Sequence, residues 1–111
     1  MIVDVIIPAL DEEDALPLVL RAIPADLVRH VIVADNGSRD RTAEVAAAEG
    51  ARVVHEAERG YGAACLRALA LLKDDPPDVV VFLDGDNSDD PSELGSLLAP
   101  LRDGADLVIG S

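Results

Sequence analysis

Val79-Val80-Val81-Phe82-Leu83-Asp84-Gly85-Asp86 is the stretch whose reading decides the fold. An unbroken, β-branched apolar run of this length suits a strand covered on both faces, as in a parallel sheet. It ends abruptly in two aspartates flanking a glycine. Working outward, similar runs recur at Ile2-Val3-Asp4-Val5-Ile6-Ile7, Val31-Ile32-Val33-Ala34, Arg52-Val53-Val54-His55 and Asp106-Leu107-Val108-Ile109. Helical spacing fills the gaps. Leu16, Val19, Leu20 and Ile23 follow i, i+3, i+4, i+7, as do Cys65, Ala68, Leu69 and Leu72, and again Leu94, Leu97, Leu98 and Leu101. The Ala-rich stretch 40–49 stops at Gly50. Asp90-Pro91-Ser92-Glu93 reads as N-cap, N1 proline and capping-box acid. Pro17 is tolerated if Asp14 is the N-cap and the proline falls in the first turn. The order is therefore β-α-β-α-β-α-β-α-β. The expected fold class is α/β: a mostly parallel sheet of about five strands with helices on both faces, joined by right-handed crossovers.

The composition fits one such domain. The chain has 111 residues, and its 9 Lys+Arg against 22 Asp+Glu give a net charge of −13. Half the residues are hydrophobic, too many for a disordered acidic tail. The charge argues against nucleic acid and against an anionic membrane surface, both of which are bound through Lys and Arg. A single cysteine, Cys65, excludes an internal disulfide and fits a reducing, cytoplasmic setting. It falls on a helical apolar stripe and is expected to be a small core residue. No apolar run reaches the ~20 residues of a membrane span, and the first residues lack the pattern of a signal peptide.

In open α/β sheets ligands bind beyond the carboxyl ends of the strands, which selects residues 8–13, 35–40, 56–62 and 84–90. Asp84 and Asp86 sit at i and i+2 on a strand end, where two hard oxygen donors suit Mg²⁺ or Mn²⁺; an ordinary acidic turn is the alternative. Asp89 and Asp90 are accounted for as helix-starting acids. An EF-hand fits poorly, because its sixth and twelfth positions would be Asp89 and Gly95 and a strand, not a helix, precedes the loop. In Asp35-Asn36-Gly37-Ser38-Arg39-Asp40 the Asn-Gly pair makes a turn and Asp40 caps the next helix, which leaves Asp35 for a base N–H or a ribose hydroxyl. Asp11 and Glu13 read as an acidic helix entry. Arg59-Gly60-Tyr61-Gly62-Ala63-Ala64 looks like a dinucleotide fingerprint, but its last position is Cys65 and it follows the third strand. Two readings remain for it: an anion held by helix N–H groups with help from Arg59, or a tight turn that needs glycine. His30 and His55 are isolated and have no partners at metal-ligand spacing.

Taken in order, Val5-Ile6-Ile7-Pro8-Ala9-Leu10-Asp11-Glu12-Glu13, Ile32-Val33-Ala34-Asp35-Asn36-Gly37-Ser38-Arg39-Asp40-Arg41-Thr42, Arg59-Gly60-Tyr61-Gly62-Ala63-Ala64 and Phe82-Leu83-Asp84-Gly85-Asp86 resemble the motifs of family 2 glycosyltransferases with the GT-A fold. The polyprenyl (dolichyl) phosphate mannosyl- and glucosyltransferase branch is the most similar in flavour. Ala105 to Ser111 is similar to the strand that follows the D-x-D helix there. The resemblance implies a nucleotide-diphosphate-sugar site (UDP-, GDP- or similar). Pro8, Ala9, Leu10 and Glu12 would line the nucleoside pocket and Asp35 would bind the base. Arg59, Gly60 and Gly62 would border the donor. Asp84 and Gly85 would approach ribose and sugar, and Asp86, with Asp84, would hold the Mg²⁺ or Mn²⁺. The acceptor it implies is a molecule such as polyprenyl phosphate. Asp11 stands where the family usually has Asn, and Asn36 where it often has a second Asp. The family's catalytic domain is about twice as long, so the chain is expected to be its donor-binding half, with no catalytic base to name and an uncovered face that favours self-association. Other classes fit less well. A haloacid-dehalogenase-type phosphatase also uses strand-D-x-D, but on its first strand and with a downstream Lys; a receiver module needs a Lys after its fifth strand, and the sole lysine is Lys73. A non-catalytic nucleotide-sugar-binding module stays open.

Overall fold

The computed structural model describes residues 2–83, Gly85 and the strand at 107–109. Five strands form one sheet: β1 (Val3–Ala9), β2 (His30–Asp35), β3 (Arg52–His55), β4 (Val79–Phe82) and β5 (Leu107–Ile109). Their order is β3-β2-β1-β4-β5, and every pairing is parallel. The chain starts in the middle, builds outward through β2 and β3, then returns across the sheet to place β4 on the other side of β1. The expected architecture is therefore present. The expected fourth helix, with Leu94, Leu97, Leu98 and Leu101 and its cap at Asp90-Pro91-Glu93, lies outside the described residues.

Alternation along the strands assigns the two faces. Val3, Val5, Ile7 and Ala9 of β1 join Val33, Val79, Val81 and Leu83 under Leu16, Val19 and Ile23 of α1 (Leu16–Ala22) and its flank, with Ala46 of α2 (Thr42–Ala48). Ile6, Ile32, Ala34 and Val80 pack on the other face against Ala64, Ala68 and Leu72 of α3 (Tyr61–Ala70) and its flank. Central β1 is buried along its whole length, as expected of a strand flanked on both edges and covered on both faces.

The helix termini differ in detail from the sequence expectations. Asp14 is not the cap of α1: the cap position is Ala15, with no side-chain bond, and Pro17 occupies the first turn. Proline needs no N–H acceptor there, so the start tolerates a weak cap. On α3 the expected Ala68 and Leu72 are buried and Leu69 packs beside them, but Ala64 takes the core position expected for Cys65, which is half-buried, its thiol pKa pushed up by partial desolvation. α2 ends as expected. Gly50 has φ 91°, its N–H donates to the Ala47 carbonyl and that of Ala51 to the Ala46 carbonyl, the paired bonds of a Schellman motif.

Candidate functional site

The order β3-β2-β1-β4 puts a topological switch beside β1, since the connections leave it toward opposite edges. Such a crevice is where α/β sheets take ligands. A cleft of about 300 Å³ opens there, lined by Pro8, Ala9, Leu10, Glu12, Asn36, Arg59, Gly60 and Tyr61. Six of the residues selected from sequence thus converge: Pro8, Ala9, Leu10 and Glu12 from the end of β1, and Arg59 and Gly60 before α3. Gly85 belongs with them. It is buried, and a Cβ placed on it would lie 3.5 Å from Ala9 Cβ, Glu12 Cγ and Ile7 Cγ2. Asp84 and Asp86, which flank it in sequence, lie outside the described residues. Gly62 and Asp35 are not part of the cleft lining.

Asp35 ends β2 and is only 5% exposed. Its Oδ1 accepts the Ser38 N–H at 2.9 Å, and its Oδ2 lies 3.3 Å from His55 Nδ1. The sheet register makes this pair, since β2 sets Asp35 opposite His55 of β3. His55 is thus not isolated; its side chain is 71% exposed and meets the buried carboxylate at the rim.

The two loops after β1 and β2 are laced together. Asp11 N–H donates to Ser38 Oγ and Asp11 Oδ1 accepts the Arg39 N–H; Glu12 N–H donates to Thr42 Oγ1; Glu13 N–H donates to Asp40 Oδ2 and Glu13 Oε2 accepts the Arg41 N–H. Asp11 takes a left-handed φ of 53°, which Asp tolerates better than most residues because its short side chain bonds nearby backbone. Asp11 and Glu13 are therefore loop fasteners rather than mere helix-entry acids. Asp40 accepts both the hydroxyl and the N–H of Thr42, so it serves the start of α2 from just before its cap, Arg41. Partial desolvation opposes the charge on Asp40, but the bonds from Thr42 and from the Glu13 N–H outweigh it and hold the carboxyl below its ordinary value.

On the other wall, Gly60 caps α3 with φ 113°, a conformation that favours glycine. Its N–H donates to Asn36 Oδ1 at 3.0 Å. Asn36 and Tyr61 are the cleft residues that the sequence did not single out. Their signals were present, Asn36 beside a strand-end Asp and Tyr61 between two glycines, but a turn explained both.

A second cavity, of about 330 Å³, lies at the opposite end of the sheet and includes Leu20, Ile23, Val28, Arg29 and Glu49 in its lining. Both charges there are engaged: Arg29 with Asp4 and Asp75, Glu49 with Arg21. Among the described residues no cluster of three or more His, Cys, Asp or Glu could hold a metal ion, and no helix is long and apolar enough to cross a membrane.

Residues 4–111 match the family described as Glycosyl transferase family 2. A Mycobacterium tuberculosis protein described as an uncharacterized glycosyltransferase is 47% identical over 108 residues, which are 97% of this chain and 47% of that protein. Polyprenol monophosphomannose synthase of Mycolicibacterium smegmatis is 39% identical over 115 residues, 96% of this chain and 43% of that one. The chain thus spans about half the length of the curated relatives it matches. Among solved structures, glucosyl-3-phosphoglycerate synthase from Mycobacterium tuberculosis in complex with Mn²⁺, UDP and glucosyl-3-phosphoglycerate superposes with a TM-score of 0.78 at 36% identity, over 92% of this chain and 40% of that one. The same enzyme with Mn²⁺, UDP-glucose and phosphoglyceric acid gives 0.78 at 37% identity, over 92% and 39%. Motif order, sheet order and these likenesses agree, and the chain belongs to glycosyl transferase family 2.

Proposed function

We propose that residues 1–111 form the nucleotide-sugar-binding part of a glycosyltransferase that moves a sugar from a nucleotide diphosphate to an acceptor. The carrying observation is the convergence at the carboxyl end of β1: the strand-end segments close on one cleft, and Gly85 of the Asp-Gly-Asp motif packs against two of its residues, Ala9 and Glu12. Pro8, Ala9 and Leu10 give a nucleoside an apolar wall, with Glu12 as a polar partner. Asp35, buried with its second oxygen turned to a rim histidine instead of a guanidinium, is a carboxylate that can take a base N–H. Arg59, before the start of α3, suits the anionic diphosphate; Gly60, whose own N–H is held by Asn36 Oδ1, leaves the approach open for lack of a side chain, and Gly62 follows in the first turn.

Asp84 and Asp86 would hold the divalent cation. The donor set fits: two hard carboxylates, one residue apart, as Mg²⁺ or Mn²⁺ prefers when phosphate supplies further oxygens. A bound cation would offset the charge that gathers on the departing nucleotide diphosphate. The acceptor oxygen then bonds to the anomeric carbon as the bond to the diphosphate breaks. Likeness to the polyprenol enzyme supports a lipid-phosphate acceptor, and the phosphoglyceric acid in the solved neighbour supports phosphate as the shared feature. The single thiol and the acidic surface support a cytoplasmic setting. The edge position of β3 in the sheet supports self-association, which light scattering across a tenfold concentration range tests.

Calorimetry with UDP and with GDP, each in the presence of Mn²⁺, tests the donor reading. Binding that needs the metal and is lost in Asp86→Ala is expected. No heat at millimolar nucleotide, with Asp86→Ala indistinguishable from wild type, overturns it.

A further inference from the structure

The side chain of Asn36 bridges the two walls of the cleft. Its own N–H donates to the Ala9 carbonyl at 2.9 Å, which fixes its backbone to the end of β1. Its Nδ2 donates to the carbonyls of Glu56 at 3.0 Å and Glu58 at 2.7 Å, and its Oδ1 accepts the Gly60 N–H at 3.0 Å. Two carbonyls require a donor group and one N–H requires an acceptor, so the network itself determines which way the carboxamide points. Both Nδ2 hydrogens are spent. Although Asn36 lines the cleft, it has no donor left for a ligand.

We infer that Asn36 is a positioning residue for the nucleotide: it fastens loop 56–60 to the end of β2 and so places Arg59, Gly60 and the first turn of α3 opposite Pro8–Glu12. This role rests on the donor reading above. The start of the loop is held by the Glu56 N–H on the Asp35 carbonyl at 2.9 Å and by Arg67 beside the Glu56 carboxylate at 3.9 Å; beyond it residues 57–60 are exposed, and there the Asn36 carboxamide takes the Glu58 carbonyl and the Gly60 N–H. A clasp with three bonds on one carboxamide sets the separation of the walls before a ligand arrives, which lowers the ordering cost of binding. No other uncharged side chain supplies two hydrogens and one acceptor at this reach. An aspartate keeps the acceptor but turns a carboxylate toward two carbonyl oxygens.

The test is calorimetry of UDP with Mn²⁺ on wild type, Asn36→Asp and Asn36→Ala, from about pH 5 to pH 8, where an aspartate crowded by carbonyls regains its proton at the acid end. Both variants are expected to bind UDP about tenfold or more weaker near pH 8. The ratio of wild-type to Asn36→Asp affinity is expected to shrink toward pH 5, as a protonated carboxyl recovers one donor, while the ratio for Asn36→Ala stays flat. A merely structural role would lower the unfolding midpoint without that divergence. Equal affinities for all three proteins, or parallel pH profiles, overturn the positioning role and leave the donor reading standing. Absence of UDP and GDP binding by the wild type overturns the donor reading and this role with it. If neither variant folds, hydrogen exchange of the wild type decides: a Gly60 amide protected, and protected further by UDP with Mn²⁺, supports the clasp, and a freely exchanging one overturns it.

Discussion

Two buried aspartates, one near each end of the sheet, have opposite surroundings. Asp4, near the amino end of β1, is fully buried, and its carboxylate takes Arg29 Nε at 3.1 Å, Arg29 Nη2 at 2.6 Å and the His30 N–H at 3.0 Å. Arg29 continues to the Asp75 side chain and carbonyl, tying the α3–β4 connection to the same knot. Asp35, at the carboxyl end of β2, has one backbone N–H and an exposed imidazole. Bidentate guanidinium pairing satisfies a carboxylate in both charge and geometry; a single N–H and a rim histidine leave it room for another donor. The cavities at the two ends have similar volumes, so size does not tell them apart. The pairing of charge does: the amino end is locked by salt bridges, and the carboxyl end is held by carboxylates spent on backbone N–H groups.

Mutations can break that contrast. The largest effect is expected from Asp4→Ala, which leaves Arg29 and the His30 N–H without their buried acceptor and should cost about 3 kcal/mol of unfolding free energy. Denaturant unfolding measures it, and UDP affinity in the folded fraction should not move. Thr42→Val comes next. The Thr42 side chain is fully buried and accepts the Glu12 N–H at 2.8 Å; removing it orphans that donor at about 1–2 kcal/mol, read the same way. Asp35→Asn should reverse the pattern of Asp4→Ala: UDP binding with Mn²⁺ about tenfold weaker by calorimetry, equivalent to about 1.4 kcal/mol, with a smaller change in unfolding. A variant of Asp35 that loses stability and keeps affinity would erase the distinction between the two ends.

The smallest effect is the pH dependence of the loop lacing. The Asp40 carboxyl is held below its ordinary value in the folded state, so its contribution is complete above the ordinary carboxyl range and is lost as pH falls through the lowered value. The stability difference between wild type and Asp40→Asn should therefore be largest near neutrality and shrink on acidification, as read from urea midpoints along a pH series. A difference that grows in acid would mean that Asp40 is not held as the geometry indicates.

Much of this contrast was legible in the sequence wherever its cause was local. β-branched runs mark the strands, Gly50 the end of α2, and the strand-end rule alone picks out Pro8–Glu12 and Arg59–Gly60. What escaped was set by register and by partners far along the chain. Nothing local pairs Asp35 with His55; the β2–β3 register does. Asn36 satisfies a turn pattern by itself, and only the path of residues 56–60 gives its carboxamide a task. Asp14 is not the cap of α1: the loop before the helix is tied to residues 38–42, and the Leu16 N–H already has the Glu12 carbonyl at 2.9 Å. On α3 only the first stripe position differed: the small Ala64, not Cys65, packs with Ile32 and Ala34, while Ala68, Leu69 and Leu72 fall where the spacing put them.

The place of β4 in the sheet also bears on the order of assembly. β1, α1, β2, α2 and β3 are neighbours in sequence and can form in succession, but β4 must reach back to β1: the Ile2 N–H meets Asp78 Oδ2 across 76 residues, and Val3 lies opposite Val79. Contacts that distant in sequence form late and slow the whole process. On a ribosome, the wall built by residues 8–13 and 35–42 can exist before the Asp-Gly-Asp segment has been synthesised. Gly85 then arrives against side chains already in position, and the cleft is completed when β4 adds to the open edge of β1, with β5 following outside it.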